Sequence, residues 1–324
     1  MLCVGGGDAE VASVDGADGV VRVFGSGTDT AGSKHLDSTA ASRLRHHDRP
    51  LAETRSMIPN VLTIAGTDPT GGAGIQADLK TFSALGAYGM SAITAVVAQN
   101  TRGVHSFVAL EPDFVGAQID AVFDDVRVDA VKVGMIANAA IARVVADRLR
   151  RYARCPVVVD PVMVAKSGDH LLRPDAVAAL RDELLPLATL ITPNLLEAAV
   201  LLDCPPPQSL DDMRDMLTAL RGRCPSGPQW VLLKGGHLRA PHSTDLLGGP
   251  EGTLDLPAQR ITTTRDHGTG CTLAAAAAAF LAENDVVSAV RRAKDYLNAA
   301  LAAAGELDVG AGRGPVHHFH ALWK

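Results

Sequence analysis

From residue 60 onward, short runs rich in β-branched residues alternate with stretches of helical period, and this alternation restricts the fold more than any other feature. Near-continuous apolar strands joined by helical crossovers assemble into a parallel sheet with helices on both faces. The predicted strands are 61–65, 92–98, 130–133, 157–160, 190–192 and 230–234. In the predicted helix 75–85, Ile75, Leu79, Phe82 and Leu85 recur on one side. Two further helices close the chain: one begins at Thr269 or Cys271 and runs through the alanines, and 286–304 carries Val290, Ala293, Leu297 and Leu301 on one face. There is no internal repeat. A chain of 324 residues, 20% charged and 4% aromatic, suits one large α/β domain with tightly packed helices.

Charge and cysteine usage exclude several classes. The formal net charge is -6, and basic residues cluster only in pairs such as Arg150-Arg151 and Arg291-Arg292, so nucleic acid finds no footprint. The longest apolar run, Leu273 to Ala282, is shorter than the roughly 20 residues a membrane span needs. Cys3, Cys155, Cys204, Cys224 and Cys271 include no Cys-x-x-Cys pair, against a disulfide framework or a structural zinc site and in favour of a reducing cytoplasm. No signal-peptide pattern is visible. Residues 1–56 lack helical or strand period and read as a disordered extension, with Met57 as an alternative start before a domain of 57–324.

Three segments invite chemistry. The first, Gly66-Thr-Asp-Pro-Thr-Gly71-Gly72-Ala-Gly74, is a glycine-rich turn between strand and helix that lets backbone approach a ligand. Part of it, Gly72-x-Gly74-x-x-Ala77, also fits a dinucleotide fingerprint, and a plain strand-to-helix connection is the bland alternative. The fingerprint needs an acidic residue about 20 positions on, yet no Asp or Glu lies between Asp78 and Glu111. The second is His267-Gly268-Thr269-Gly270-Cys271-Thr272, at the start of the alanine helix. Free amides and the positive helix end make it an anion hole, which stabilises a phosphoryl group in flight. The same field is expected to lower the Cys271 thiol pKa; a buried, inert cysteine is the alternative. The third, Lys234-Gly235-Gly236-His237, ends an apolar strand with a cation and bare backbone suited to a nucleotide phosphate or ribose.

Asn194 and Glu197 stand three apart at a helix start, where they could reach a magnesium hydration shell or form a capping box. Asp160 sits at a strand end, where open α/β sheets bind ligands. No P-loop sequence occurs. The closing His317-His318-x-His320 reads as capped or solvated before it reads as a metal site, and Asp124-Asp125 and Asp211-Asp212 as solvated helix ends.

In order along the chain, Thr63-Ile-Ala-Gly-Thr-Asp-Pro-Thr-Gly-Gly-Ala-Gly74, Gln99-Asn-Thr101, Lys132-Val-Gly-Met135, Asp160-Pro-Val-Met-Val-Ala-Lys-Ser-Gly168, Ile191-Thr-Pro-Asn194, Lys234-Gly-Gly-His237, His267-Gly-Thr-Gly-Cys-Thr272 and Gly314-Pro-Val-His-His-Phe-His320 resemble the bifunctional hydroxymethylpyrimidine and phosphomethylpyrimidine kinases, from residue 58 to the end. The resemblance implies a ribokinase-like three-layer α/β/α sandwich with a mostly parallel sheet. It also implies ATP and Mg2+ as cofactors, a small pyrimidine as substrate and a homodimer. By the same resemblance the pyrimidine lies over Ala73 between Met135 and Val162, hydrogen-bonded by Gln99, with Asp78 on the substrate side. Cys271 and the Gly268, Thr269 and Gly270 donors meet the hydroxymethyl arm, Asp160, Asn194 and Glu197 organise magnesium and its waters, and Lys234 and Gly236 line the nucleotide side. Sugar kinases of this fold carry Asp where Cys271 stands, which points to the vitamin-kinase branch. That branch includes pyridoxal kinases, the alternative reading; Gln99 and Met135 favour the pyrimidine. A redox enzyme and a non-catalytic vitamin-binding protein are the rivals from other classes.

Overall fold

A computed structural model describes residues 57–163, 174–223, 229–238 and 242–323. The disorder expected for 1–56, the positions 164–168 of the Asp160 segment, and Cys3 and Cys224 lie outside the described residues.

Strand β1 (Asn60–Ala65) opens the domain and is followed by α1 (Gly74–Ala84), β2 (Tyr88–Ile93) and the hairpin β3 (Ala95–Asn100) and β4 (Gly103–Ala109). Then come α2 (Pro112–Asp125), β5 (Ala130–Val133), α3 (Ala139–Tyr152), β6 (Val157–Val159), α4 (Pro174–Ala179), β7 (Leu190–Ile191), α5 (Leu195–Leu202), α6 (Leu210–Arg223) and β8 (Trp230–Leu233). A second hairpin, β9 (His242–Gly249) and β10 (Gly252–Gln259), precedes α7 (Thr269–Leu281) and α8 (Val286–Ala302).

The main sheet runs β10-β9-β8-β7-β6-β5-β1-β2. From β2 to β8 every pairing is parallel, and β9 and β10 add an antiparallel edge. Burial on both faces explains the unbroken apolar runs. Leu62, Ile64, Val131, Val133, Val157 and Val159 join one core under α2 to α6, while Val61, Ala130, Val158 and Leu190 join the other under α1, α7 and α8. That alternation divides the molecule into three layers, as expected. Ala274 to Ala278 are fully buried, and these small side chains let α7 lie close to the sheet and to α8.

The predicted strand 92–98 is corrected to two. At Thr94 the chain leaves the sheet: its amide donates to Ala65 O at 3.0 Å and its hydroxyl to Met135 O at 2.7 Å, so β3 departs from β2 to pair with β4 alone. The hairpins β3–β4 and β9–β10 mix exposed apolar and buried polar positions and give no clean period, and β4, β9 and β10 were not predicted from sequence.

Candidate active site

The parallel strands all end on one edge, and the residues just past them are Gly66, Gly134, Asp160, Thr192 and Lys234. A parallel sheet places ligands at this carboxyl edge. Here it forms the floor of a cleft of about 720 Å³, whose walls include Ala73, Gln99, Met135, Val162, Asn194, Glu197, Gly236 and the segment from His267 to Cys271. Gln99 lies on the β3–β4 hairpin with Met135 near its base, Val162 follows the central strand β6, and Lys234 and Gly236 lie toward the β9–β10 hairpin.

Two loops meet across this cleft. In the first, the fully buried Asp68 carboxylate accepts from the amides of Thr70 (2.9 Å), Gly72 (3.1 Å) and Ala73 (2.8 Å), from the Thr70 hydroxyl at 2.8 Å, and contacts His267 Nε2 at 2.7 Å. Burial opposes the charge, but the His267 and Thr70 contacts outweigh it and hold Asp68 well below the usual carboxylate range. The Gly72 and Ala73 amides therefore face Asp68, while the Gly74 amide of the same loop faces Cys271. In the second loop, Gly268 adopts φ +78° as the cap of α7, and a Cβ there would fall 1.7 Å from Gly72 O. Only glycine permits that approach.

Helix α7 begins with no side-chain cap. The Thr269 amide reaches Asp266 O at 3.4 Å and that of Thr272 reaches Gly268 O at 2.8 Å; the amides of Gly270 and Cys271 lie between them at the positive helix end. A Cβ on Gly270 would sit 3.3 Å from Lys234 Nζ and 3.5 Å from Asp160 Oδ2, so a cation and a carboxylate stand directly against the helix start.

The expected lowering of the Cys271 pKa is corrected: burial pushes the thiol up to about 11, and Asp78 and Asp160 add to it against the opposing pull of Lys132. Cys271 is a neutral thiol in this cleft. Asp78 is corrected too. It is fully buried beneath the floor, where it accepts from Lys132 Nζ at 2.8 and 3.0 Å and from Thr63 Oγ1 at 2.6 Å, and it does not line the cleft. Burial disfavours the charge on Lys132, yet the Asp78 and Asp160 carboxylates push its pKa above the ordinary lysine value.

Farther along the floor, Asp160 Oδ1 accepts from Thr192 Oγ1 at 2.9 Å and Lys234 Nζ at 2.8 Å. Burial resists ionisation of Asp160, but Lys234 and Lys132 overcome it and lower its pKa. Asn194 and Glu197 form the capping box: Asn194 Oδ1 accepts from the amides of Leu196 and Glu197, and Glu197 Oε2 from that of Asn194 at 2.7 Å. Asn194 thus caps α5 and at the same time lines the cleft beside Glu197. Glu197 is also 3.9 Å from Lys234 Nζ, and burial pushes its carboxyl up to about 7, with Asp160 adding to the effect.

The profile of the phosphomethylpyrimidine kinase family matches residues 68–317. The chain belongs to this family. It is 57% identical over 265 residues to the hydroxymethylpyrimidine/phosphomethylpyrimidine kinase of Escherichia coli K12, covering 82% of this chain and 98% of that protein. Among solved structures, a Clostridium difficile 630 phosphomethylpyrimidine kinase is 41% identical with a TM-score of 0.66, over 74% of this chain and 98% of that one. An ADP complex of Bacillus subtilis pyridoxal kinase is 36% identical with a TM-score of 0.75, over 82% and 98%.

For a phosphomethylpyrimidine kinase, the donor set fits a magnesium ion that keeps its waters. Such an ion needs only one or two carboxylates beside the substrate phosphates, and Asp160 and Glu197 would supply them. Among the described residues, no group of three or more His, Cys, Asp or Glu could form a closed cage. His318 is buried with Nε2 3.1 Å from Thr272 Oγ1, which places the closing histidines of this kinase in packing. The sequence reading missed Asp68 and Lys132, although both lie inside the segments that carry the resemblance. It also missed the Asp245–Lys294 ion pair, whose Asp245 Oδ1 accepts from Gly235 N at 2.8 Å, and Arg260, which donates to Gly236 O at 2.9 Å and Leu238 O at 2.7 Å. These have no local signal, being isolated charges in unpredicted or amphipathic elements.

Proposed function

We propose that this kinase transfers the γ-phosphoryl group of ATP to the hydroxymethyl oxygen of 4-amino-5-hydroxymethyl-2-methylpyrimidine. A second turnover then extends the monophosphate to the diphosphate. The observation that carries this reading is the contact of Gly268 with Gly72, which sets the amides at the start of α7 across one cleft from the loop bearing Ala73.

The pyrimidine lies over Ala73 between Met135 and Val162, and Gln99 offers both a donor and an acceptor to its amino and ring-nitrogen edge. The hydroxymethyl oxygen then meets Cys271. A loose phosphoryl transition state asks little of a base, so a neutral thiol serves by holding the hydroxyl in line. ADP leaves with the electron pair of its bond to the γ-phosphorus, and the hydroxyl proton passes late to a phosphoryl oxygen of the product. The amides of Gly270 and Cys271, with Lys234 beside them, take up charge on the equatorial oxygens. Magnesium, held through water by Asp160 and Glu197, would neutralise the β- and γ-oxygens. The nucleotide lies toward Lys234 and Gly236. The 57% identity to a hydroxymethylpyrimidine kinase supports the pyrimidine as substrate. The 36% identical pyridoxal kinase supports a secondary reading, weaker turnover of pyridoxal.

A coupled ATP-consumption assay with the hydroxymethylpyrimidine, its monophosphate and pyridoxal tests this. Turnover of both pyrimidines above pyridoxal is expected, and ATP consumption with neither pyrimidine would end the proposal. The chain is further proposed to act as a homodimer, which the exposed Val96 and Val108 on the hairpin support. Light scattering that returns the mass of one chain would remove that claim.

A further inference from the structure

The hairpin β3–β4 stands apart from the main sheet, and an isolated two-stranded hairpin is marginal in water. Something must fix it if Gln99, beside the bulge at Ala98 and Gln99, is to address a ligand accurately. Its base is tied to the glycine loop, for Thr67 N donates to Ala95 O at 3.0 Å and Val97 N to Thr67 Oγ1 at 3.0 Å. Its tip is tied to a different segment, residues 310–315 near the end of the chain. Arg313 N donates to Thr101 O at 2.7 Å and Gly312 N to Thr101 Oγ1 at 3.0 Å. The fit is tight: a Cβ on Gly312 would fall 2.2 Å from Thr101 O. The same segment grips the loop entering α7, where Arg313 pairs with Asp266 at 2.8 and 2.6 Å and Gly314 O accepts from His267 N at 3.0 Å.

We infer that residues 310–315 form a strap that sets the hairpin tip against the start of α7, with Thr101 and Gly312 as positioning residues for substrate selection. The strap spans the two parts of the cleft that must be held in register, the amide that reads the ring and the amides that receive the phosphoryl group. It rests on the pose of Gln99 proposed above. Exposed Arg–Asp pairs contribute little by themselves, so the contacts at Thr101 carry the coupling.

Gly312→Ala tests it, because Gly312 is exposed and its Cβ can be relieved only by moving strap or tip. Amide exchange across residues 99–104 is expected to quicken about 10-fold, and KM for the pyrimidine to rise about 10-fold while KM for ATP stays within about 2-fold. Thr101→Val should shift the same readouts in the same direction by less, and Thr101→Ser should restore them. Unchanged exchange at 99–104, or faster exchange with an unchanged pyrimidine KM, would overturn the strap. Gln99→Leu separates the two claims: if it leaves pyrimidine KM unaltered while Gly312→Ala raises it, the Gln99 pose fails and the strap stands.

Discussion

Replacing Glu197 by glutamine isolates one buried charge. Glu197 is 5% exposed at the third position of α5, and burial pushes its carboxyl to about 7 against an ordinary 4.5, with Lys234 opposing and Asp160 adding. A folded-state pKa above the unfolded one means the folded chain holds the proton more tightly. The associated stability is therefore fully present below pH 4.5 and is lost as pH rises through 7. The gap from 4.5 to about 7, at roughly 1.4 kcal/mol for each pH unit, amounts to about 3.5 kcal/mol, of which about 3 kcal/mol falls above pH 5. Glutamine stays neutral throughout and keeps an acceptor for the Asn194 amide. In urea denaturation from pH 5 to 8.5, Glu197→Gln should gain on the parent as pH rises, by up to about 3 kcal/mol at the alkaline end. Turnover at pH 8 should move the other way, since the variant cannot offer an anion to the magnesium waters. A stability difference between variant and parent that stays flat from pH 5 to 8.5 would refute the reasoning.

Cys271→Ala should lower kcat far more than it changes KM for the pyrimidine, because the thiol acts on the hydroxyl in flight; retained full turnover would remove it from the mechanism. Gln99→Leu should weaken pyrimidine binding by about 1 to 3 kcal/mol through lost hydrogen bonds, measurable by calorimetry, and an unchanged affinity would refute the pose. Lys132→Met leaves Asp78, whose pKa burial already raises, without its cation in the core, and should cost about 3 to 5 kcal/mol in chemical denaturation; a loss under about 1 kcal/mol would show that the pair is not what holds the floor.

Much of the sheet was legible because a parallel strand buried on both faces must be apolar along its whole length. Val157 to Val159 fulfil that requirement without a partner being known, and Val61 to Ala65 do so at every position but Thr63. The edge hairpins were not legible, since β9 buries Asp245 and two glycines beside leucines and β4 exposes Phe107 and Val108. The glycine turn and the start of α7 were legible as separate features because each is local. Their contact was not, for it depends on Asp68 and His267, 199 residues apart. Asp78 and Cys271 were misread for the same reason. A helix start announces its field in sequence, but the burial and the carboxylates that raise the Cys271 pKa come from other strands.

The cations of the cleft show what local reading omits. Lys132 is paired with Asp78, Lys234 with Asp160, Lys294 with Asp245 and Arg313 with Asp266, across 54, 74, 49 and 47 residues. Each of these four cations is held in place by a carboxylate before any ligand arrives, and Arg260, which also lines the cleft, is held through the Gly236 and Leu238 carbonyls. A triphosphate entering such a cleft cannot be balanced by these side chains alone. The amides of Gly270 and Cys271 at the positive end of α7 add to the attraction, and a divalent ion brought in with the nucleotide would supply more. Under the proposed function the paired lysines and arginine would position the phosphates, and the helix end and the metal would supply the field in which the phosphoryl group moves.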